Sequence, residues 1–417
     1  MILDYGVASP YSATIFASSS NLVSLKAPVH PGAYERVEAP MTPPFCPNPA
    51  CSHHHDSPRL YSGHWRLAGS YETLVVGTVR RFRCTACGRG FSERTFDYGY
   101  FTKRTLDVRE IHRAVSQGES VSSIARHLHA STASIQNRMD RLGRAGIAMH
   151  EDILATMTLG EDLVADGFES FDRSQYHPNQ IDILTGKTSQ FLYGYTHATI
   201  RRKGRMTRAQ KATRARLERR WRAPRAGNRA AFGRLVSCID PLWDRSKLRR
   251  LELWTDEHRD YPKAIADTEP LLLAMHDGSF RHRTWPSTAP RNLHNPLFSV
   301  NYYDRELRKD LAAFRRESTC FTRNTSNGLM RMACHMVYHN YQKPYRVEWP
   351  QTGGPVHAEA AGVDRALVAA LLRKLYSERP FMGHHRLSDE SRRIWLKQAV
   401  TPLKEKPDYL PAYARAG

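Results

Sequence analysis

The stretches LVAD at residues 163–166 and LELWTD at residues 251–256 decide the fold. Both are short apolar runs, which predict buried strands, and each ends in an aspartate, Asp166 and Asp256. Carboxylates at the ends of neighbouring strands can share hard divalent cations such as Mg²⁺, although a single strand-end aspartate is also a common turn or helix cap. A third apolar run at 191–200 and the helical patterns between these runs indicate an α/β or α+β domain.

Charge indicates the class of partner. The 417 residues include 62 Lys and Arg against 41 Asp and Glu, a net charge of +21. Such an excess favours a polyanionic partner, and nucleic acid is the default. We expect a soluble, intracellular protein that does not contact a membrane, because no run reaches the ~18 apolar residues of a membrane helix and the first residues lack a secretory pattern.

Four cysteines form two close pairs, Cys46 with Cys51 and Cys84 with Cys87. Two such pairs supply the four thiolates of a structural Zn²⁺ site, and a closed site of this kind serves folding and not catalysis. A histidine of the run 53–55 could replace Cys51 as a ligand, and buried free thiols are the alternative to a metal. Short β-like runs at 72–79 and 81–83 predict a small zinc ribbon over residues 45–98.

Three amphipathic helices are predicted at 106–116, 121–128 and 131–142. Their spacing is typical of a helix-turn-helix in which the third helix reads the DNA major groove, although a plain three-helix bundle has the same pattern. The side chains then available to the groove are Ser134, Gln136, Asn137, Arg138 and Arg141.

The segment 201–225 holds twelve Lys or Arg and one acid. It is either a solvated helical insertion or a phosphate-binding arm, and its one-sided charge favours the arm. Its first four cations are Arg201, Arg202, Lys203 and Arg205. The first 44 residues, rich in Ser, Pro, Ala and Gly, predict a flexible arm.

The order of these features resembles the transposases of the insertion sequence one family, with two reading frames fused into one chain. The resemblance covers roughly residues 45–345. Its sharpest parts are the second cysteine pair, the helix-turn-helix, Thr255-Asp256 followed by Tyr261-Pro262, and the segment 307–321. It implies an RNase H-like α/β catalytic domain with an Asp, Asp, Glu triad, in which Asp166 and Asp256 match the first two positions.

The resulting multidomain α+β chain has five parts. They are an arm (1–44), a zinc ribbon (45–98), a helix-turn-helix (99–146), an RNase H-like domain (155–345, with a basic insertion at about 201–250) and a short C-terminal tail with one helix (346–417).

The third acid has no clean match. When the segment 307–321 is aligned with the family pattern without gaps, the family glutamate aligns with Asn301. An asparagine cannot be an anionic ligand. At 100° per residue, Asp304 lies about 60° from the direction of Asn301, whereas Glu306 lies about 140° away and points sideways toward solvent. We favour Asp304 and keep Glu306 as its rival, because a longer side chain could reach from a shifted helix.

The resemblance implies a DDE or DDD-type DNA transposase in the bacterial cytoplasm, at the nucleoid. Two Mg²⁺ ions would support cleavage at terminal inverted repeats and joining of the 3′-OH to target DNA, in a homodimer or larger oligomer. Arg308 and Lys309 would bind phosphates beside the metals, or form a solvated face. The alternatives are a non-catalytic DNA-binding regulator derived from a transposase, which Asn301 favours, and a nuclease or resolvase.

Overall fold

The structure is a computed structural model that describes residues 43–55, 63–315, 321–346 and 353–415. The arm predicted for residues 1–44 lies outside the described residues, apart from its last two positions. Within the described ranges, no helix combines the length and the apolar character needed to cross a membrane.

The first folded part is a small antiparallel sheet. A short helix, α1 (Ser52–His55), precedes the strands β1 (Trp65–Thr73), β2 (Gly77–Cys84) and β3 (Gly90–Ser92), which pair in the order β1-β2-β3. The ring of Phe82 is buried and contacts the rings of Trp65 and Phe91. Strand β1 begins well before the predicted run because it is almost wholly exposed, so it lacks the apolar alternation that marks a strand.

Three helices follow, α2 (Val108–Ser116), α3 (Val121–His127) and α4 (Thr132–Leu154). Each begins at a polar cap: the side chains of Asp107, Ser120 and Ser131 accept backbone N–H groups of the first turn. Helix α4 runs twelve residues beyond the predicted end at 142. Residues 143–153 are mostly small or apolar, and tertiary packing keeps them helical.

The central sheet has five strands, β4 (Leu163–Phe171), β5 (Pro178–Gly186), β6 (Leu192–Thr199), β7 (Leu251–Thr255) and β8 (Phe280–Thr284). Their order is β6-β5-β4-β7-β8. The pairs β4/β5 and β5/β6 are antiparallel, whereas β4/β7 and β7/β8 are parallel. The chain is therefore a mixed α/β protein with a central mixed sheet.

Seven helices accompany this sheet. They are α5 (Arg208–Arg220), α6 (Gly227–Val236), α7 (Ile239–Leu242), α8 (Tyr261–Ala266), α9 (Glu269–His276), α10 (Phe298–Asp310) and α11 (Thr325–Tyr341). Helices α6 and α8 lie on one face of the sheet, where the rings of Phe232 and Tyr261 stack 4.0 Å apart. Helix α10 covers the other face with Val300, Tyr303 and Leu307, together with Val164 and Phe168 of β4.

Helices α4 and α11 pack closely because glycines stand at their contact. A Cβ atom on Gly146 would lie 2.6 Å from Cγ2 of Val337, and one on Gly143 would lie 2.9 Å from the sulfur of Met330. Side chains at these two positions would push the helices apart. The three-helix part and the five-stranded part therefore share one long helix and one core.

The C-terminal part contains more helix than the single one predicted there. It comprises α12 (His357–Ala360), α13 (Arg365–Ser377), α14 (Asp389–Trp395) and α15 (Ala412–Arg415). The prediction of one helix was wrong because α12, α14 and α15 are only four to seven residues long, too short to show a period. Trp395 is 1% exposed, so this part is packed against the rest of the chain.

Candidate active site and metal centre

The first two predicted acids stand side by side on neighbouring parallel strands. Leu163 pairs with Leu253 and Val164 with Trp254. If this register continues for two more residues, Asp166 lies beside Asp256 on the neighbouring strand, and neighbouring strands lie ~4.8 Å apart. Asp256 follows β7 directly, as expected, whereas Asp166 lies inside β4 and not at its end, because residues 167–171 also pair with β5 and continue the strand to Phe171.

The surroundings of Asp166 oppose its ionisation. Burial and the charge of Asp256 raise the pKa of Asp166 to about 7, against the backbone N–H of Gly167 and the cation of Arg291, which favour the charged form. The N–H of Gly167 donates to Oδ1 of Asp166 at 2.7 Å. A buried carboxyl group whose pKa is raised by a second carboxylate on the same face of the sheet is typical of an acid or metal site.

Asp304 belongs to the same electrostatic group. It lies on α10, four residues after the buried Val300 and three before the buried Leu307, on the side of the helix that packs on β4. Burial and the charge of Asp166 raise the pKa of Asp304 well above its ordinary value. Its Oδ1 atom is buried and makes no hydrogen bond to any described residue.

Glu306 has a different environment. It is 4% exposed, so the expectation that it points toward solvent was wrong. Its carboxylate accepts hydrogen bonds from the ammonium groups of Lys343 and Lys309, the latter at 3.0 Å. The helix turns Glu306 toward these lysines of α10 and of the segment after α11, and the ion pairs occupy its oxygens. Of the two rival acids, only Asp304 is available to a cation beside Asp166.

The three aspartates do not form a compact ligand cluster. Among the described residues, only the four cysteines bring three or more potential ligand atoms to within 4.8 Å of one another. The carboxylates of Asp166, Asp256 and Asp304 are therefore more widely spread than the ligands of a single small ion.

Two further charged residues near this site escaped the sequence analysis. Asp182 of β5 is fully buried, on the face of the sheet opposite Asp166, where it accepts a hydrogen bond from Gln180 at 2.6 Å. Burial raises its pKa to about 7. Arg291 lies in the loop before α10, and its charge acts on both Asp166 and Asp304. No periodicity or motif marks either residue, because only the folded chain brings them to the site.

The four predicted cysteine ligands come together. Sγ of Cys46 lies 3.6 Å from Sγ of Cys87, and Sγ of Cys51 lies 3.7 Å from Sγ of Cys84. Four thiolates at ~2.3 Å from a central Zn²⁺ would be about 3.8 Å apart, so the cluster has the dimensions of a tetrahedral site. Cys51 belongs to the set, and His53 stands outside it with Nδ1 3.5 Å from Sγ of Cys84. The cluster could hold a structural metal such as zinc.

The predicted reader residues divide into two groups. Ser134, Gln136 and Asn137 are partly exposed. Arg138 and Arg141 are buried, and they donate to the backbone carbonyls of Arg104 and Tyr98. These two arginines are therefore not available to a groove. Helical phase predicted that these two arginines are exposed, because that side of α4 would face solvent in an isolated three-helix unit. In the protein, the segment that follows the small sheet packs against this side.

The predicted basic side chains are also divided. Arg201, Lys203 and Arg205 are exposed, and Arg201 pairs with Glu218 at 2.7 Å. Arg202 is partly covered by the ring of Tyr176. Helix α5 has no buried residue. It is therefore a solvated helix, which was one of the two interpretations of the basic segment.

The two residues of α10 that were predicted to bind phosphate also differ. Arg308 lies 4.4 Å over the ring of Phe168 and favours the charged form of Asp304. Lys309 is held by Glu306 and Asp310. Arg308 alone is therefore placed beside the acids.

Comparison with known proteins adds no assignment. No family model matches the sequence, and no curated protein matches it either.

The raised pKa of Asp166 predicts a pH-dependent stability. A carboxyl group with a folded pKa of about 7 and an ordinary value of 3.8 favours folding at low pH, and this contribution is lost as the pH rises through about 7. Without added divalent cations, D166N should raise the free energy of unfolding at pH 8 by up to about 4 kcal/mol, and the gain should vanish near pH 4. Urea unfolding at both pH values measures it.

Asp277 offers a matched control. Its pKa is lowered by hydrogen bonds from Ser279, so D277N should give no gain at pH 8. Equal stability of D166N and the unmodified protein at pH 8 would mean that Asp166 ionises at no cost.

Proposed function

We propose that this protein is a DNA transposase that cuts and joins DNA with the acids Asp166, Asp256 and Asp304. The observation that carries the proposal is the joint placement of Asp166 and Asp256 in one register, with Asp304 facing them from α10. The order of the central sheet supports it, since an antiparallel three-stranded meander extended by two parallel strands is the architecture of RNase H-like domains.

The three carboxylates would hold two Mg²⁺ ions. Such ions, when bound, activate an attacking oxygen and stabilise the leaving one in phosphoryl transfer. The protein's part is to bring anionic oxygens together despite their repulsion, and Oδ1 of Asp304, which makes no hydrogen bond to any described residue, is available to a cation. The mutual repulsion that raises the pKa of Asp166 also makes the site a strong attractor of cations.

Two cations flank the acids and suit a DNA phosphate. Arg291 acts electrostatically on Asp166 and Asp304, and Arg308 acts on Asp304. A guanidinium binds phosphate oxygens with two parallel N–H groups, which would hold a phosphodiester at the edge of the acid site. In this arrangement the aspartates bind the metals and the arginines position the substrate.

The small N-terminal sheet has a basic face that supports DNA binding. Arg66 of β1 and Arg83 of β2 are directly opposite each other, and Arg81 lies two residues before Arg83 on the same face. All three side chains are exposed and make no ion pair with any described residue. Like charges in direct cross-strand contact are unfavourable unless an anion lies between them, and DNA phosphates would meet this need.

Helix α5 would add a second contact to DNA. It is solvated and carries Arg208, Lys211, Arg216, Arg219 and Arg220 on its exposed surface. A helix without a buried face gains little stability from packing against the rest of the protein, so a bound polyanion would stabilise it. Joining two element ends would require a dimer or a larger assembly on DNA.

A cleavage assay tests the proposed role of the acids. Purified protein is incubated with supercoiled DNA that carries candidate element ends and Mg²⁺ or Mn²⁺, and products are separated by gel. D256N and D304N should lower cleavage by at least a thousandfold, because each removes an anionic metal ligand. E306Q is the control on the same helix: it should retain cleavage per folded molecule, at reduced stability, because Lys343 loses its partner.

The products distinguish the rival functions. Joined products support a transposase, and nicks alone indicate a nuclease or resolvase. Specific DNA binding without cleavage by the unmodified protein would favour the regulator. Loss of cleavage in E306Q but not in D304N would contradict the assignment of the third acid.

Salt dependence tests the basic face of the small sheet. Replacing Arg66, Arg81 and Arg83 with glutamine should lower the slope of log affinity against log salt by about 2 to 3, because each phosphate contact contributes about 0.9. Fluorescence anisotropy with labelled duplex DNA measures the slope. The control removes three charges from arginines that have carboxylate partners, Arg229, Arg245 and Arg365. An equal slope change in both triple variants would contradict a contact at this face.

A further inference from the structure

A cavity lies where helix α4 meets the C-terminal helices α14 and α15. Its volume is about 20 Å³, which is more than one water molecule needs and too little for a sugar or a base. The residues that line it are Tyr98, Arg141, Arg144, Arg379, Pro380, Trp395, Tyr413 and Ala414. Three of these eight are arginines, and none of them is acidic.

The arginines are buried together without a matching anion. Arg141 is 7% exposed and Arg144 is 3% exposed. Asp140, whose charge acts on Arg144, is itself paired with Lys397 at 2.5 Å. Guanidinium groups that are withdrawn from water and lie near one another destabilise the fold unless a counter-charge is present. The surroundings of the cavity therefore lack an anion.

Three donors of the lining residues have no acceptor. Nη2 of Arg144, Nε of Arg379 and the hydroxyl of Tyr413 are buried and make no hydrogen bond within the described part of the chain. Other donors of the same arginines are satisfied: Nε of Arg144 donates to the carbonyl of Trp395 at 3.1 Å, and Nη2 of Arg379 to that of Tyr413 at 2.9 Å. Since most buried polar groups are paired, three unmatched donors beside one cavity indicate a missing acceptor.

Aromatic rings hold the guanidinium groups in place. Arg141 lies 4.6 Å from the centre of the Tyr413 ring, and Arg379 lies 4.1 Å from that of Phe381. Ring faces attract cations but leave the in-plane N–H groups free to donate. The arginines are thus fixed before a ligand arrives, which lowers the entropy that binding must overcome.

We propose that this cavity binds a phosphate-type oxyanion. Two guanidinium groups and a phenol provide several donors from which such an anion can accept hydrogen bonds. The phosphate is either inorganic phosphate or a phosphate group of a DNA strand that remains outside. Because the walls come from α4 and from the C-terminal helices, an occupied site would fasten these helices to the helix that begins with the reader residues. The site does not depend on the transposase proposal.

Titration with inorganic phosphate tests the site. Calorimetry at constant ionic strength should give one saturable site per chain, and phosphate should raise the melting temperature of the unmodified protein. R144Q should weaken phosphate binding by at least tenfold, and Y413F by several-fold, because each removes a donor to a charged group. The matched control is R365Q, which removes the same charge from an arginine paired with Glu359 and should bind phosphate normally.

The second arm distinguishes the source of the phosphate. Affinity for duplex DNA is measured by anisotropy with and without phosphate, in the unmodified protein, Y413F and R365Q. If Y413F binds DNA more weakly than both the unmodified protein and R365Q do, and neither salt nor phosphate removes this difference, the ligand is a DNA phosphate. If R144Q fails to fold, Y413F still reports on the site, because it removes one hydroxyl and no charge. Phosphate affinities of Y413F and R144Q equal to those of the unmodified protein and R365Q would overturn the proposal, whatever the outcome of the cleavage assay.

Discussion

Repulsion between carboxylates on one face of the central sheet is the constraint around which the rest of the protein is arranged. The parallel register of β4 and β7 puts Asp166 beside Asp256, and α10 turns Asp304 toward them. Burial and this mutual repulsion keep the pKa of Asp166 near 7. Carboxylates held together in this way attract cations. Arg291 and Arg308 offset only part of the repulsion between them. We therefore propose that the acids form a metal site.

Helix α4 connects this site to the parts that would meet DNA. Its first turns follow the short helices α2 and α3, and its later turns pack on α11 through Gly143 and Gly146. Its side chains Arg141 and Arg144 also line the anion cavity beside the C-terminal helices. A single helix of 23 residues therefore connects the three-helix part, the central sheet and the C-terminal helices.

The sequence predicted what depends on local pattern. The strand at 251–255 follows from an apolar run, and the cysteine cluster follows from the spacing of its ligands. Helical phase put Asp304 and Glu306 on different sides of α10, but it did not foresee that Glu306 is buried and paired with Lys343. What local pattern could not predict depends on distant contacts: the burial of Arg138 and Arg141, the length of α4, and the approach of Asp182 and Arg291 to the acids.

The position of a bound divalent cation tests the proposed acid site most directly. Crystals of the protein grown with Mn²⁺ would locate the metal by its anomalous scattering. We predict manganese within coordination distance of the carboxylates of Asp166 and Asp256, with an oxygen of Asp304 facing the same space. Manganese bound at Glu306, or a fully ordered acid site that binds no manganese at millimolar concentration, would contradict a catalytic role for these three residues.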